Sequence, residues 1–336
     1  MNKLIKKIVA VGLAGLMMAG AFAGCSAGEG TTDDAAEAKT YSVGILQLMK
    51  HTALDKATAG FQDALKEKLG DQVEFDLQIA GEPKNCTAIA EKFVAAKTDL
   101  IMANATPSLT ACYGKTAEIP IVATAITNFA TALNLDFEPE GQSGVNVTGT
   151  HDLAPLDKQA EQLLYFFPEV KNVGIFFCTS EANSKYQADG MKALLEAQGV
   201  TVNYYTFKDT TDLQPVITKA AADSEVLYIP TDNTAAKNTD VIRTVCEDAN
   251  TPIIAGETDI AIGTNAVATY SIDFYDIGYN AGLMAYDILV NGADPATMNI
   301  KAPEKLTSQY NKDAVERYGL TDKITDDYQE LVAEAE

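Results

Sequence analysis

The stretch EVLYIPTDNT (residues 225–234) decides how the chain folds. Val226, Leu227, Tyr228 and Ile229 form an unbroken apolar row, the pattern of a parallel strand buried on both faces. Pro230 ends the run, and Thr231, Asp232 and Asn233 stand at the strand's carboxyl end, ahead of a segment from Ala235 that reads as a helix. In open α/β sheets ligands bind at that edge, where the first turn of the next helix offers unpaired N–H groups. A second stretch, DLIMANATPS (99–108), has the same design, with Thr106, Pro107 and Ser108 entering a helix. The two tips are expected to face each other across a cleft.

Outward from these stretches the chain repeats itself. Val43-Gly44-Ile45 answers to Val173-Gly174-Ile175, Gly60 to Gly190, Phe61 to Met191, and Ala64-Leu65 to Leu194-Leu195, all at one offset of 130 residues (43 to 173). DLIM (99–102) answers to EVLY (225–228), and IPIV (119–122) to TPII (251–254). Each half reads β-α-β-α-β-α-β, which gives a doubly wound parallel sheet with right-handed crossovers. The expected fold class is α/β, with two such lobes joined by a multi-strand hinge. After the second half come a strand at 267–272 and a helix with Ile277, Ala281, Met284, Ala285 and Ile288 on one face, ending near Gly292. Kept together, they would make the second sheet larger than the first, so the chain is expected to cross back. The organisation predicted is lobe 1 from 41–150 plus 273–295, and lobe 2 from 151–272 plus 296–336, opened by a helix over 151–168.

With 336 residues, 47% hydrophobic and 21% charged, the chain suffices for two globular domains. Lys3, Lys6 and Lys7 precede an apolar run (8–22) too short to span a membrane comfortably, and Ala23-Gly24 stand before Cys25, so residues 1–24 read as a secretory signal. FAGCS (22–26) resembles the lipobox at which bacterial lipoproteins are cut and acylated, with Phe22 in place of the usual aliphatic residue. Cys25 is therefore the expected lipidation site, holding the protein to the membrane outside the cytoplasm. Residues 25–40, small and acidic without apolar periodicity, are expected to be a flexible linker. The net charge of −22, or −25 once the three signal lysines are removed, argues against nucleic acid or anionic lipid as a partner. Cys86, Cys112, Cys178 and Cys246 have no C-x-x-C spacing; an exported chain permits disulfides, yet the apolar or helical setting of each reads equally as a buried free thiol. His51 and His151, the only histidines, form no metal-ligand pattern, so neither metal nor cofactor is expected.

Enzyme motifs are missing: there is no G-x-S-x-G, P-loop, G-x-G-x-x-G or H-E-x-x-H, and no cysteine–histidine pairing to activate a nucleophile. No catalytic residue is assigned. From Tyr41 to about Leu320 the sequence instead resembles the solute-binding lipoproteins of ABC transporters related to the tryptophan- and tyrosine-binding group. The resemblance rests on LDKATAGFQDAL (54–65), DLIMANATPS (99–108), IPIVATAIT (119–127), NVTG (146–149), SEANS (180–184), YIPTDNT (228–234), PIIAGET (252–258) and DFYDIGYNAG (273–282). It implies a type I periplasmic-binding-protein fold that closes by its hinge, an aromatic or other hydrophobic amino acid between the lobes, and a membrane permease as partner; the sequence gives no sign of an oligomer, and a monomer is expected. A sugar- or nucleoside-binding lipoprotein of the same fold is the alternative, although sugar sites usually stack on tryptophan and this chain has none.

A zwitterion needs donors for its carboxylate and an acceptor for its ammonium. Thr106 and Ser108, and Asn183 and Ser184, lie at expected helix starts where hydroxyl and N–H groups meet a carboxylate; each also reads as a plain helix cap. Asp232, with Asn233 beside it, is the first candidate for the ammonium, with Glu257 and Asp273 as alternatives; an N-cap is the plainer role of Asp232. Thr127 and Asn128 end the fourth strand, where the family commonly has Thr-Asp; the lost carboxylate at Asn128 bears on the specificity the resemblance implies. Gln47 is a candidate polar guide. Leu48, His51, Phe129, Phe177 and Tyr205 are candidates for an apolar wall, though most aromatics at such spacing are core.

Overall fold

The computed structural model describes residues 39–332; the expected signal, Cys25 and the linker up to residue 38 lie outside the described residues, as do 333–336. The first lobe starts with β1 (Tyr41–Gln47) and α1 (Thr52–Leu69). Leu54, Ala57, Phe61, Ala64 and Leu65 recur at helical spacing and are buried along α1, and Gly70 closes it with φ 55°. Next come β2 (Val73–Ile79), α2 (Cys86–Ala96), β3 (Leu100–Asn104), α3 (Thr106–Tyr113), β4 (Ile121–Ile126), α4 (Phe129–Leu133) and β5 (Val147–His151). They form a five-stranded sheet in the order β2-β1-β3-β4-β5, parallel in every pair. β3 and β4 are buried along their whole length, as a sheet covered on both faces requires.

The second lobe repeats the pattern with α5 (Leu156–Phe166), β6 (Asn172–Cys178), α6 (Ala182–Ala197), β7 (Thr201–Phe207), α7 (Thr210–Asp223), β8 (Val226–Ile229), α8 (Asn233–Lys237), α9 (Thr239–Ala249), β9 (Ile253–Ala255), α10 (Thr258–Thr264) and β10 (Ala268–Ile272). β8 is the apolar row from which the reading began. Its one polar side-chain atom, the Tyr228 hydroxyl, is satisfied by Gln159 Oε1 at 2.6 Å. The helix expected over 151–168 is shorter than that, because His151 still pairs with Ile126 in β5 and Pro155 sets the helix start.

After β10 the chain leaves the second lobe and then returns to it. β10 stays in the second sheet, paired to β9, while the helix that follows, α11 (Phe274–Asn291), packs on α1 of the first lobe. Then β11 (Leu306–Tyr310), α12 (Lys312–Arg317) and β12 (Tyr328–Glu330) complete a seven-stranded sheet, β12-β11-β10-β9-β8-β6-β7, in which β11 alone runs antiparallel to its neighbour β10. The second sheet is the larger of the two after all. Residues 298–301, placed by the sequence with the second lobe, run along the first: Asn299 bridges Gln142, Lys301 bridges Thr150, and Ile300 is buried in that lobe's core.

Candidate functional site

Both sheets turn the carboxyl ends of their strands to a common cleft. Two hydrogen bonds cross it: His51 Nε2 to Asn233 Oδ1 at 3.1 Å, and Gln187 Nε2 to Thr127 Oγ1 at 3.2 Å. A cavity of about 360 Å³ is lined by Met49, Glu82 and Lys84 from one lobe and Cys178, Glu181 and Thr234 from the other. A narrower space lies between Thr106 and Asn128 on one side and Asn183 and Tyr186 on the other.

In the second lobe the order β9-β8-β6 sets three strand tips side by side, and each delivers a buried carboxylate: Glu257, Asp232 and Glu181. Two are occupied by the chain itself. The short helix α8 would leave its first N–H groups orphaned. Glu181 takes the backbone N–H of Asn233 (3.0 Å) and of Thr234 (2.9 Å), the Asn233 amide (2.6 Å) and the Thr234 hydroxyl (2.7 Å). Asp232 caps the same helix through Ala235 N at 2.8 Å and accepts Cys178 N at 2.7 Å. Burial, then the Glu181 charge, push the Asp232 carboxyl well above the usual carboxylate range. Glu257 differs. It is 2% exposed, Oε1 has no partner, and burial followed by Asp259, Asp152, Asp232 and Glu181 holds it well above its ordinary value.

Around this row the other candidates fall into place. Asn183 donates to Glu181 Oε2 (3.4 Å) and Thr231 O (3.2 Å), leaving Oδ1 buried and unpartnered. Ser184 donates to Thr231 O at 3.3 Å. Because the Asn233 amide nitrogen is given to Glu181, its Oδ1 must accept, so His51 carries its proton on Nε2 and keeps Nδ1 as an open, buried acceptor. Burial lowers the His51 pKa.

From the first lobe, Thr106 brings a buried hydroxyl without a partner, and Ser108 is buried against Cys86 Sγ at 4.0 Å. Ala105, just before α3, has φ 83°, and Ala125 in β4 has φ 55°; positive φ at two non-glycine residues beside the cleft is strain that the surrounding fold must hold. Thr127 donates to Asp152 Oδ1 at 2.9 Å while receiving Gln187, and burial pushes Asp152 up to about 6. Asn128 caps α4 through Thr131 N at 2.7 Å and lines the narrower space.

Some expected residues are elsewhere. Gln47 ties β1 to α1, giving its amide to Met49 O and Asp55 Oδ1 (2.6 Å each) and accepting Thr58 Oγ1 at 2.7 Å, so its polar atoms bind within the first lobe. Asp273 is an exposed N-cap of α11, bonded by Tyr275 N at 2.9 Å. Leu48, Phe129 and Phe177 are core, and Tyr205 packs against the second lobe's core with its hydroxyl 3.3 Å from Asp223. All four internal cysteines are free and buried. Three residues that sequence reasoning passed over belong to the cleft: Glu181, Gln187 and Asp152. Gln187 had a signal, since it follows Asn183 by four residues and so shares its helix face.

Comparison with known proteins places this geometry. The profile of the family described as ABC transporter substrate binding protein matches residues 42–328. A tyrosine-binding protein of Clostridioides difficile is 35% identical over 294 residues, covering 84% of each chain. The solved structure of an ABC domain in complex with L-Trp from Streptococcus pneumonia superposes with a TM-score of 0.82 at 27% identity, covering 88% of this chain and all of that one. The ligand-free, open structure of a substrate binding protein with adhesive properties from Clostridium difficile, 30% identical, gives 0.67 over 88% of this chain and 100% of its own. The two-lobed α/β architecture is that of type I periplasmic binding proteins, and the chain belongs to the ABC transporter substrate-binding protein family.

Proposed function

We propose that this protein is the extracytoplasmic solute-binding component of an ABC importer, that it takes an aromatic or other hydrophobic amino acid between its lobes, and that lipid on Cys25 holds it to the membrane. The observation that carries the reading is a pair of buried, unpartnered polar atoms on residues that line one space from both lobes, Thr106 Oγ1 and Asn183 Oδ1, with a third, Glu257 Oε1, at a strand tip of the second lobe. Buried polar atoms of a native protein find partners, so open valences gathered at strand tips fit a polar ligand head. The relatives that bind tyrosine and L-Trp support the ligand class. No helix among the described residues is long and apolar enough to cross a membrane.

A thermal-shift screen of the mature chain against the twenty amino acids, common sugars and nucleosides tests the ligand class. A ligand at about 100 times its Kd adds roughly 2.7 kcal/mol, enough to move the midpoint visibly. Shifts confined to aromatic and apolar amino acids are expected; shifts with sugars or nucleosides alone would overturn the ligand assignment and leave the transport role. Cys25→Ser should release the protein from the membrane fraction, and retention of that variant would overturn the lipid anchor.

A further inference from the structure

The row of carboxylates raises a question that amino-acid binding alone does not answer: what balances it. Glu257, Asp232 and Glu181 leave adjacent strands of one sheet, and Asp152 comes in from the crossover after β5. All four are at most 5% exposed. The charged groups that bear most on Glu257 are Asp259, Asp152, Asp232 and Glu181, every one acidic. Among the described residues, the donors to the four cleft carboxylates are neutral: backbone N–H groups, the amides of Asn183 and Asn233, and the hydroxyls of Thr127, Ser184 and Thr234; Lys84, Lys208 and Lys237 line the cavity beside Glu181 but donate to none of the four. A buried cluster of one sign must hold either protons or a cation. A metal ion is not what these side chains are placed for, since among the described residues no three such groups are arranged to hold one.

Two atoms say where the cation would sit. Glu257 Oε1 is the open acceptor of the row, and Asn183 Oδ1, on a side chain 6% exposed whose nitrogen is tied to Glu181, is a second. Both lack a donor. The ligand's ammonium is a donor with a charge, the partner that an open buried carboxylate oxygen needs.

Resting on the amino-acid reading above, we propose that binding is an exchange: the ligand's ammonium enters beside Glu257 and displaces a proton that the empty cleft holds on its carboxylate row. The proton passes to solvent, so the site changes its counter-charge and not its net charge. Glu257, Asp232 and Glu181 all belong to the second lobe, so their mutual repulsion, the lesser cause beside burial, persists when the lobes part. Three consequences follow from the linkage. Affinity rises with pH up to the titration of the empty row, by as much as tenfold per pH unit. One proton at most leaves per ligand. An analogue without the amine releases none.

Calorimetry of L-tyrosine and L-tryptophan at pH 6 to 8, in buffers of different ionisation enthalpy, counts the protons. Release of a fraction of a proton per ligand is expected, together with its loss and at least tenfold weaker binding in Glu257→Gln. Binding with no proton exchange across that range would overturn the proposal while leaving the amino-acid reading intact. A second measurement needs no ligand and survives a failure of that reading. The infrared carbonyl band of a protonated carboxylic acid should be present in the empty wild-type protein at pH 7 and diminished in Glu257→Gln, whose folding is checked by its melting transition. Identical spectra would overturn the proposal whatever the ligand turns out to be.

Discussion

At the scale of single residues, the cleft is built from side chains whose charge the fold opposes. Asp152 makes the point most simply. Its carboxyl is raised to about 6 by burial, against a hydrogen bond from Thr127 that favours the charged form. A carboxyl higher in the folded state than in the unfolded one adds stability that is complete below pH 4 and lost as pH rises through 6. Asp152→Asn keeps an acceptor for Thr127 and has nothing to ionise. It should match the wild type near pH 4 and exceed it above pH 6 by up to about 3 kcal/mol, at roughly 1.4 kcal/mol per pKa unit, which denaturant melts at the two pH values would measure. An equal difference at both would mean that charge is not the cause. Glu181→Ala should act oppositely, because it orphans two backbone N–H groups and two side-chain donors of α8; a loss of about 2–4 kcal/mol is expected, at roughly 1 kcal/mol or more per buried donor. The placement of Thr106, Thr127, Asn128, Asn183, Asp232 and Glu257 at strand tips is legible in the sequence, because a strand tip followed by a helix start can be read from apolar runs and punctuation. The direction of a side chain cannot. Gln47 and Glu181 both stand near strand ends, and only packing decides that Gln47 turns to Asp55 and Thr58 while Glu181 turns to α8.

At the scale of elements, the duplication explains more than the sheets. In the first lobe α1 packs on α11 at glycine positions on both helices: a Cβ at Gly278 would collide with the Ala57 backbone, and one at Gly60 with the Tyr275 carbonyl. In the second lobe α6 packs on α5, and a Cβ at Gly190, the counterpart of Gly60, would meet Leu156 Cδ1 at 2.5 Å. The two clashes differ in kind, since a backbone cannot move aside and a leucine tip can. Gly278→Ala should therefore cost about 2–3 kcal/mol or more, as overpacking a helix crossing does, and Gly190→Ala less than about 1 kcal/mol, in urea unfolding of each variant. Equal losses would show that α1 and α11 have freedom to separate. The repeated motif was visible because its glycines and apolar residues keep their spacing. What was not visible is which partner each repeat packs against. α11 lies on α1 across more than two hundred residues of sequence, and β11 and the edge strand β12 are short, with polar residues such as Gln309 and Gln329, and carry little of the apolar alternation by which strands are recognised.

At the scale of the whole molecule, the arrangement described is a closed one. His51 reaches Asn233 and Gln187 reaches Thr127 across the cleft, and the superposition on the L-Trp complex, with a TM-score of 0.82, is tighter than on the open ligand-free relative, with 0.67. Closure brings Asp152 and the first lobe down on the carboxylate row, so the like charges that one proton leaves unbalanced disfavour the closed form until ligand contacts on both lobes outweigh them. Two neutral hydrogen bonds, each worth roughly 1 kcal/mol net, are a small counterweight to a cluster of like charges. A ligand moves such an equilibrium only by its differential affinity: going from 1:99 closed to 99:1 takes about 5.5 kcal/mol, which contacts made on both lobes at once are suited to give. Small-angle scattering should therefore give an empty protein with a larger radius of gyration than the closed arrangement, and compaction on saturation with ligand. Gln187→Ala and His51→Ala each remove one bond across the cleft. They should weaken binding by about three- to tenfold, at roughly 1 kcal/mol each, and leave the radius of the empty protein unchanged, because those bonds exist only after closure. A radius of gyration that stays the same at saturation would sink hinge closure as the mechanism; a radius that is already small in the empty protein would mean that the row of carboxylates is neutralised well enough to let the lobes meet by themselves.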